Sequence, residues 1–248
     1  MASDAQHSVP AEERLAVVTG ASSGVGQAIA LALARAGFAL CVVGRNADRL
    51  AQTAAAARPL VPVTTFLCDL ARNGSVDPLV QSLEGHPGRL DVLVHAAGTI
   101  QQGLLEQASI EHLDEQYGAN VRGPYVLTQR LLPLLLKARG QIVFINSSAG
   151  LAVNRPELAQ YAATKHALRA IADSVRAEVN PKGIRVLSVY LGRTATAMQE
   201  RLFEQNAQDY HPRNLLQPED VATMVVAALA LPMTAEVTDI SIRPMMKA

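Results

Sequence analysis

Tyr161 and Lys165 stand four residues apart in the run Tyr-Ala-Ala-Thr-Lys, one turn apart on a helix face. A phenol beside an ammonium is a proton-transfer pair: the free phenol titrates near about 10, and a neighbouring positive charge stabilises the phenolate and lowers that value. Hydride addition to a carbonyl carbon leaves negative charge on the oxygen, and such a pair can aim a proton donor at it. The spacing alone is common on helices, so its meaning depends on its surroundings. Ser148 follows an apolar run at residues 141–146, and its hydroxyl can orient a carbonyl and stabilise the developing oxyanion. Ser147 is read instead as capping the turn. Asn120, at an Asn-Val-Arg-Gly break, can hold a water near Lys165 and complete a proton relay, or tie down a helix irregularity.

A second chemical feature lies near the front of the chain. Residues 19–26 read Thr-Gly-Ala-Ser-Ser-Gly-Val-Gly, between the apolar run Leu-Ala-Val-Val and a helical pattern. Gly20 lets the chain leave its strand abruptly, while Gly24 and Gly26 allow close approach of backbone to phosphate and of helix to sheet. The helix that begins there offers unsatisfied N–H groups and a positive end to a pyrophosphate, with Ser22, Ser23 and Val25 in the same turn. A tight turn without a ligand uses glycines too. Strand before, helix after and a second strand at the proper interval favour the dinucleotide reading.

The elements that position these groups alternate. Strands are expected near 15–19, 39–43, 61–67, 90–95, 141–146, 184–190 and 237–242, with helices near 24–36, 47–57, 158–179 and 218–229. Gly37 stops the first helix, and Asn180-Pro181-Lys182-Gly183 ends the one that carries Tyr161. The strands at 90–95 and 141–146 are apolar with little alternation, as central parallel strands covered on both faces are. Pro124 and Pro133 predict a boundary or kink within the long segment 110–139. No repeat or polar linker divides the chain, so one α/β domain of the doubly wound type is expected over 13–248, after a flexible segment 1–12.

Composition narrows the function classes. The 248 residues are 49% hydrophobic, enough for one substantial core. Acidic and basic residues balance at 22 each, which gives no field to attract a nucleic-acid backbone. The N-terminal sequence lacks a basic and apolar targeting pattern, and no run is long enough to span a membrane, so the expectation is a cytoplasmic protein. Cys41 and Cys68 lie in separate apolar runs without a CxxC spacing; neither a disulfide nor a metal site is expected.

On Thr19-Gly20-x-x-x-Gly24-x-Gly26 and Tyr161-x-x-x-Lys165 the chain resembles the classical short-chain dehydrogenase/reductase family. The resemblance spans residues 13–243 and takes in Asp69, Gly98, Asn120, Ser148, Gly192 and Thr196 at the expected places. It implies a Rossmann-type, seven-stranded, mostly parallel sheet in the order 3-2-1-4-5-6-7. It implies catalysis by Asn120, Ser148, Tyr161 and Lys165, with Lys165 also holding the nicotinamide ribose. Asp69 and Leu70 would flank the adenine, and backbone at Ala97 and Gly98 would line the cofactor. Gly192 would admit the nicotinamide ring, with Thr194 in the same loop and Thr196 at the phosphate or carboxamide side. A homo-oligomer, dimer or tetramer, is implied as well.

Where the second strand ends, a carboxylate would bind the adenosine ribose hydroxyls, but this chain has Gly44-Arg45-Asn46. Nothing there repels a 2′-phosphate and Arg45 can clamp its oxygens, so NADP(H) is expected over NAD(H). The chain departs from the family at Ala96, where an Asn is usual, and at Leu191, where a proline is usual. His95 is read as satisfying local polar groups. Residues 197–218 are the expected substrate cover, with Met198, Leu202 and Phe203 able to form an apolar pocket and Tyr210 and His211 as polar candidates. The implied reaction is reduction of an aldehyde or ketone to an alcohol by direct hydride transfer, with Tyr161 as proton donor. A nicotinamide-binding regulatory or scaffold protein, or an epimerase or dehydratase on the same fold, are the alternatives.

Overall fold

The computed structural model of the protein describes residues 14–72, 74–85, 88–153 and 155–246. The segment 1–12, expected to be flexible, lies outside the described residues. In chain order the structure runs β1 (Leu15–Thr19), α1 (Gly24–Arg35), β2 (Ala39–Gly44), α2 (Ala47–Ala57), β3 (Val63–Leu67), α3 (Asp77–Gly85) and β4 (Val92–His95). It continues with α4 (Ile110–Tyr117), α5 (Gly123–Ala138), β5 (Gln141–Ser147), α6 (Ala159–Val179), β6 (Arg185–Leu191), α7 (Ala197–Gln205), α8 (Pro218–Leu229) and β7 (Asp239–Ile242).

All seven strands pair in parallel in the order β3-β2-β1-β4-β5-β6-β7, as the resemblance implied. Alternation along the central strands sends side chains to two cores. Ala16, Val18, Val143 and Ile145 pack with α1, α2 and α8 on one face. Leu15, Val17, Ile142 and Phe144 pack with α3, α5 and α6 on the other. Each fully buried Leu or Phe contributes about 1.5–3 kcal/mol, which explains why these strands read as unbroken apolar runs. The order reverses between β1 and β4, so a crevice opens where their carboxyl ends part.

Three strands start about two residues later than expected, each preceded by a proline or by a side-chain bond to a neighbouring strand's backbone. Pro62 has no N–H to give, although its carbonyl accepts from Leu40 N–H at 2.9 Å. The Asp91 carboxylate accepts from Leu15 N–H at 2.9 Å, and β4 begins at the next residue. Glu236 Oε1 accepts from Val186 N–H at 2.8 Å just ahead of β7. The break in 110–139 lies at a five-residue π-helical turn, Gly118–Arg122, which carries Asn120. Pro124 opens α5, and Pro133 stays within it on the exposed face, where the carbonyl left without a donor can turn to water. Among the described residues no helix is long and apolar enough to cross a membrane.

Candidate active site

A cleft of about 790 Å³ runs across the carboxyl ends of the strands. One end is formed by the β1–α1 turn, the β2–α2 junction and the segment after β3; the other by loops after β4, β5 and β6.

The glycines at the first end are demanded by backbone. A Cβ on Gly20, whose φ is +67°, would stand 2.7 Å from Ala97 N, and one on Gly26 would strike Gly20 O. The turn is therefore held tight against both its own helix and the end of β4. Thr19 secures the same junction: its hydroxyl donates to Val94 O at 3.2 Å and accepts from Ala96 N–H and Ala97 N–H at 3.1 and 3.2 Å. This bond set supplies the cross-strand tie that Ala96, lacking the usual amide, does not.

The start of α1 fits an anionic group. Asn46, Ser109 and Thr196 cap α2, α4 and α7 with their side chains, whereas Ser23 makes no capping bond at α1. No acidic residue sits in that first turn. The N–H groups that open the helix thus face a cleft lined by Ser22, Ser23, Gly24 and Val25, with the helix dipole directed at it. Gly24 has a further constraint, since a Cβ there would lie 2.9 Å from Thr196 Cγ2 across the cleft.

Arg45 is exposed at the rim, and Arg49 one turn along α2 joins it. A Cβ at Gly44 would lie 3.3 Å from Ser22 Oγ and 3.4 Å from Leu50 Cδ1, a snug fit, and with glycine there this wall carries no carboxylate to compete with a phosphate. Asp69 lines the same end while accepting from Ala71 N–H at 3.2 Å and pairing with Arg72 at 3.4 Å. Leu70 is buried behind the π-helical turn, where a Cβ on Gly123 would come within 2.7 Å of Leu70 Cβ.

At the centre, α6 brings Tyr161 and Lys165 to the cleft beside Ala97 and Gly98. Lys165 is only 5% exposed; its ammonium donates to Ile145 O at 3.1 Å, and burial lowers its pKa to about 8. The expected lowering of the phenol by Lys165 is not found. Burial pushes the Tyr161 pKa up, and Lys165 Nζ lies 5.8 Å from the ring centroid rather than at the hydroxyl. The tyrosine is therefore held as the neutral acid, the form that can donate a proton.

The serine expectation needs correcting. Ser147, not Ser148, is hydrogen-bonded to the Tyr161 phenol, where it opposes the effect of burial. Ser147 also accepts from Ala149 N–H at 3.2 Å, so it caps the turn and serves the tyrosine together. Ser148 lines the cleft but is exposed at the start of a short 3-10 turn. β5 itself ends at Ser147, so the serine at the strand's end, and not the one that follows it, meets the phenol.

Asn120 is fully buried behind Gly98. Its amide donates to Thr99 O at 2.9 Å and Thr164 Oγ1 at 3.0 Å, and its oxygen accepts from Thr99 N–H at 2.8 Å. A Cβ on Gly98 would lie 3.1 Å from that oxygen and 3.8 Å from Lys165 Nζ, so both groups approach the glycine from the side a Cβ would fill. Asn146 escaped the sequence reading: it donates to Lys165 O at 3.1 Å and accepts from Ser147 N–H at 2.8 Å, locking α6 to the end of β5. A buried amide at the end of an apolar strand was the available signal.

The loop after β6, besides lining the cleft, makes contacts within the chain. The missing Cβ of Gly192 makes room for the chain's own end, since it would stand 2.9 Å from Pro244 Cδ. Thr194 donates to Gly192 O at 3.0 Å, which ties the loop where a proline is absent. The Thr196 hydroxyl caps α7 through Gln199 N–H at 3.2 Å. All three still line the cleft. His95 faces away, stacked on Phe144 at 4.9 Å and bonded to Thr128 at 2.8 Å, and burial drives its pKa down to about 3. The thiols of Cys41 and Cys68 are free and buried, and among the described residues no cluster could hold a metal.

A family profile described as short chain dehydrogenase matches residues 14–207, across both the glycine turn and the Tyr161–Lys165 helix. The chain belongs to the short-chain dehydrogenase/reductase family. An uncharacterized oxidoreductase of Staphylococcus epidermidis is 32% identical over 234 residues, covering 94% of this chain and 98% of that one. Among solved members, an alcohol dehydrogenase of the archaeon Thermococcus sibiricus, complexed with 5-hydroxy-NADP, superposes with a TM-score of 0.86 at 29% identity, over 96% and 99% of the two chains. An actinorhodin polyketide ketoreductase with NADPH gives 0.85 at 25% identity, over 93% and 95%. This chain is thus a short-chain oxidoreductase over nearly its whole described length.

Proposed function

We propose that this oxidoreductase reduces an aldehyde or ketone to an alcohol at the expense of NADPH, with Tyr161 as the proton donor. The observation that carries the reading is the placement of a neutral, Ser147-bonded Tyr161 beside Lys165 in the same cleft as an uncapped, glycine-built helix start. NADP(H) is favoured over NAD(H) by Arg45 and Arg49 at a wall where glycine, not a carboxylate, stands at position 44, and by the phosphorylated cofactors in the Thermococcus and ketoreductase complexes.

When bound, NADPH supplies the hydride that adds to the carbonyl carbon. The chain's own groups handle the proton. Ser147 holds the Tyr161 hydroxyl, which passes its proton to the carbonyl oxygen as charge develops there. The phenolate left behind is reprotonated from Lys165 through an intervening hydroxyl or water, and the ammonium, which persists below about 8, is renewed along the Asn120 side of the cleft. Alcohol oxidation runs the same groups in reverse. The segment 197–218, with Met198 and Leu202 on the cleft side, covers the substrate. Exposed Leu105, Ile110, Tyr117 and Tyr125, along and just before α4 and α5, support assembly as a homo-oligomer, dimer or tetramer.

The test is NADPH consumption with alcohol detection across varied aldehydes and ketones, wild type beside Tyr161→Phe. Tyr161→Phe is expected to lower kcat about 10²–10⁴-fold while NADPH affinity moves by less than about 3-fold. Near-normal turnover of the variant sinks the assignment.

A further inference from the structure

The loop after β4 is held in place at every second residue. Thr99 is clasped by the Asn120 amide through both its N–H and its carbonyl. Gln101 N–H donates at 3.0 Å to Oε1 of Gln116, which is buried on α4. Gly103 N–H donates at 3.0 Å to Glu157 O, in the loop that leads from β5 to Tyr161. Ile100 and Gln102, between these anchors, line the cleft, whereas Gln101 and Gly103 do not. The segment therefore alternates as an extended chain does, and the side chains it presents between its anchors are one apolar group and one amide.

The Gln102 amide has a fixed polarity. Asn206, at the end of α7, donates through Nδ2 to Leu202 O at 2.6 Å and to Gln102 Oε1 at 3.0 Å. A backbone carbonyl only accepts, so Leu202 sets the nitrogen of Asn206, and Asn206 in turn sets the oxygen of Gln102. The amide nitrogen of Gln102 is left with two N–H donors that meet no acceptor among the described residues. The bond to Asn206 joins the loop after β4 to the substrate cover, so these donors belong to the end of the cleft opposite Arg45. Water can serve them while the cleft is open. Once a substrate displaces that water, the donors need an acceptor on the substrate, and a compound without one leaves them unpaired.

We propose that Gln102 is a specificity-determining residue whose amide N–H donates to a second oxygen on the substrate, so that the compound reduced here carries an oxygen acceptor apart from the carbonyl presented to Tyr161. Asn206 is the positioning residue that turns the amide nitrogen towards that oxygen. The proposal rests on the reading of the site as a carbonyl reductase and adds a substrate class to it.

Two measurements separate the claims. With NADPH-saturated protein, hydroxyalkanones of increasing carbonyl-to-hydroxyl separation and their methyl ethers are compared with the alkanones that have carbon in place of that oxygen. At one separation at least, both the hydroxyl compound and its ether are expected to exceed the alkanone about 3–10-fold in kcat/KM, because either oxygen can accept. Gln102→Glu keeps an oxygen to accept from Asn206 and removes the donor, so a purely structural role for this residue would leave the ratio where it is. The substitution is expected instead to abolish the advantage of the ether, as is Gln102→Met. An alkanone equal to or better than its oxygenated partners throughout, an advantage confined to the hydroxyl compounds, or an ether advantage that survives either substitution overturns the proposal. Independently of turnover, calorimetry compares the same ethers and alkanones on protein loaded with NADP, whose oxidised nicotinamide has no hydride to give. An ether preference that is lost in Gln102→Glu upholds the contact even where no carbonyl is reduced, a result that sinks the reductase reading alone. Where no carbonyl is turned over, equal or absent binding of ether and alkanone overturns the proposal.

Discussion

The two ends of the cleft are built by different means. The adenosine end is shaped by missing side chains: Gly20, Gly26 and Gly44 stand where a Cβ would meet backbone or a neighbour, and an uncapped helix faces the ligand. The substrate end is shaped by side chains that are present, on loops after β5 and β6, with arginines among apolar residues. Backbone N–H groups and a helix dipole recognise a phosphate wherever the turn recurs, so that end suits one cofactor class. Loop side chains can be exchanged without disturbing the sheet, so the other end can suit a substrate of this chain's own. Tyr161, Ser147 and Lys165 lie between them, on the rigid ends of β5 and α6.

The sharpest way to break this division is at its centre. Ser147→Ala is expected to lower kcat/KM about 10²–10³-fold, the usual loss when one donor to a developing oxyanion is removed, whereas Ser148→Ala is expected to change it by less than about 3-fold. Steady-state kinetics on the two variants decide it, and the reverse order would restore Ser148 as the partner of Tyr161. The next effect lies at the adenosine end. Arg45→Ala is expected to weaken NADPH about 10–100-fold and NADH less than about 3-fold, read by fluorescence titration. Equal losses would detach Arg45 from the 2′-phosphate.

What was legible in the sequence follows the same divide. The strands, the β1–α1 turn and the Tyr161–Lys165 pair could be read because each depends on local period or on fixed spacing along one element, whereas the strand order came from the family resemblance. Ser147 could not be told from Ser148, because the contact crosses a loop whose length the two ends do not fix. The π-helical turn at Asn120 was visible only as a break near glycine and proline. Arg155 and Arg193 carry no periodic or motif signal; only the folded loops bring both to the cleft. Thr19 likewise replaces, through space, a tie that Ala96 lacks in sequence.

Below the seam between the two ends, His95 gives the protein an acid-sensitive point. Its pKa of about 3 in the fold lies below the unfolded value of 6.5, so the unfolded chain binds more protons between the two. Stability from the neutral, buried ring is present above about 6.5 and is lost as pH falls towards 3. At pH 5 the loss amounts to about 2 kcal/mol. His95→Asn is expected to remove this slope, measured by urea unfolding at pH 7.5 and 5.0. An unchanged slope would mean that other groups dominate acid unfolding.

The smallest expected effect tests whether a glycine at the substrate end obeys the rule of the adenosine end. At Gly26 an added methyl would meet the backbone of the tight turn, which has nowhere to move. At Gly192 it would meet Pro244 Cδ at 2.9 Å and Arg243 Cβ at 3.0 Å, in a largely exposed segment outside any helix or strand that follows the bond from Gly192 N–H to Ile242 O at 2.8 Å. That segment can give way, so Gly192→Ala is expected to cost only about 1 kcal/mol in urea unfolding, at the low end for overpacking, and to leave the NADPH Kd within about 3-fold. A large loss of NADPH affinity without loss of stability would show instead that Gly192 serves the nicotinamide directly, and that missing side chains shape both ends of the cleft.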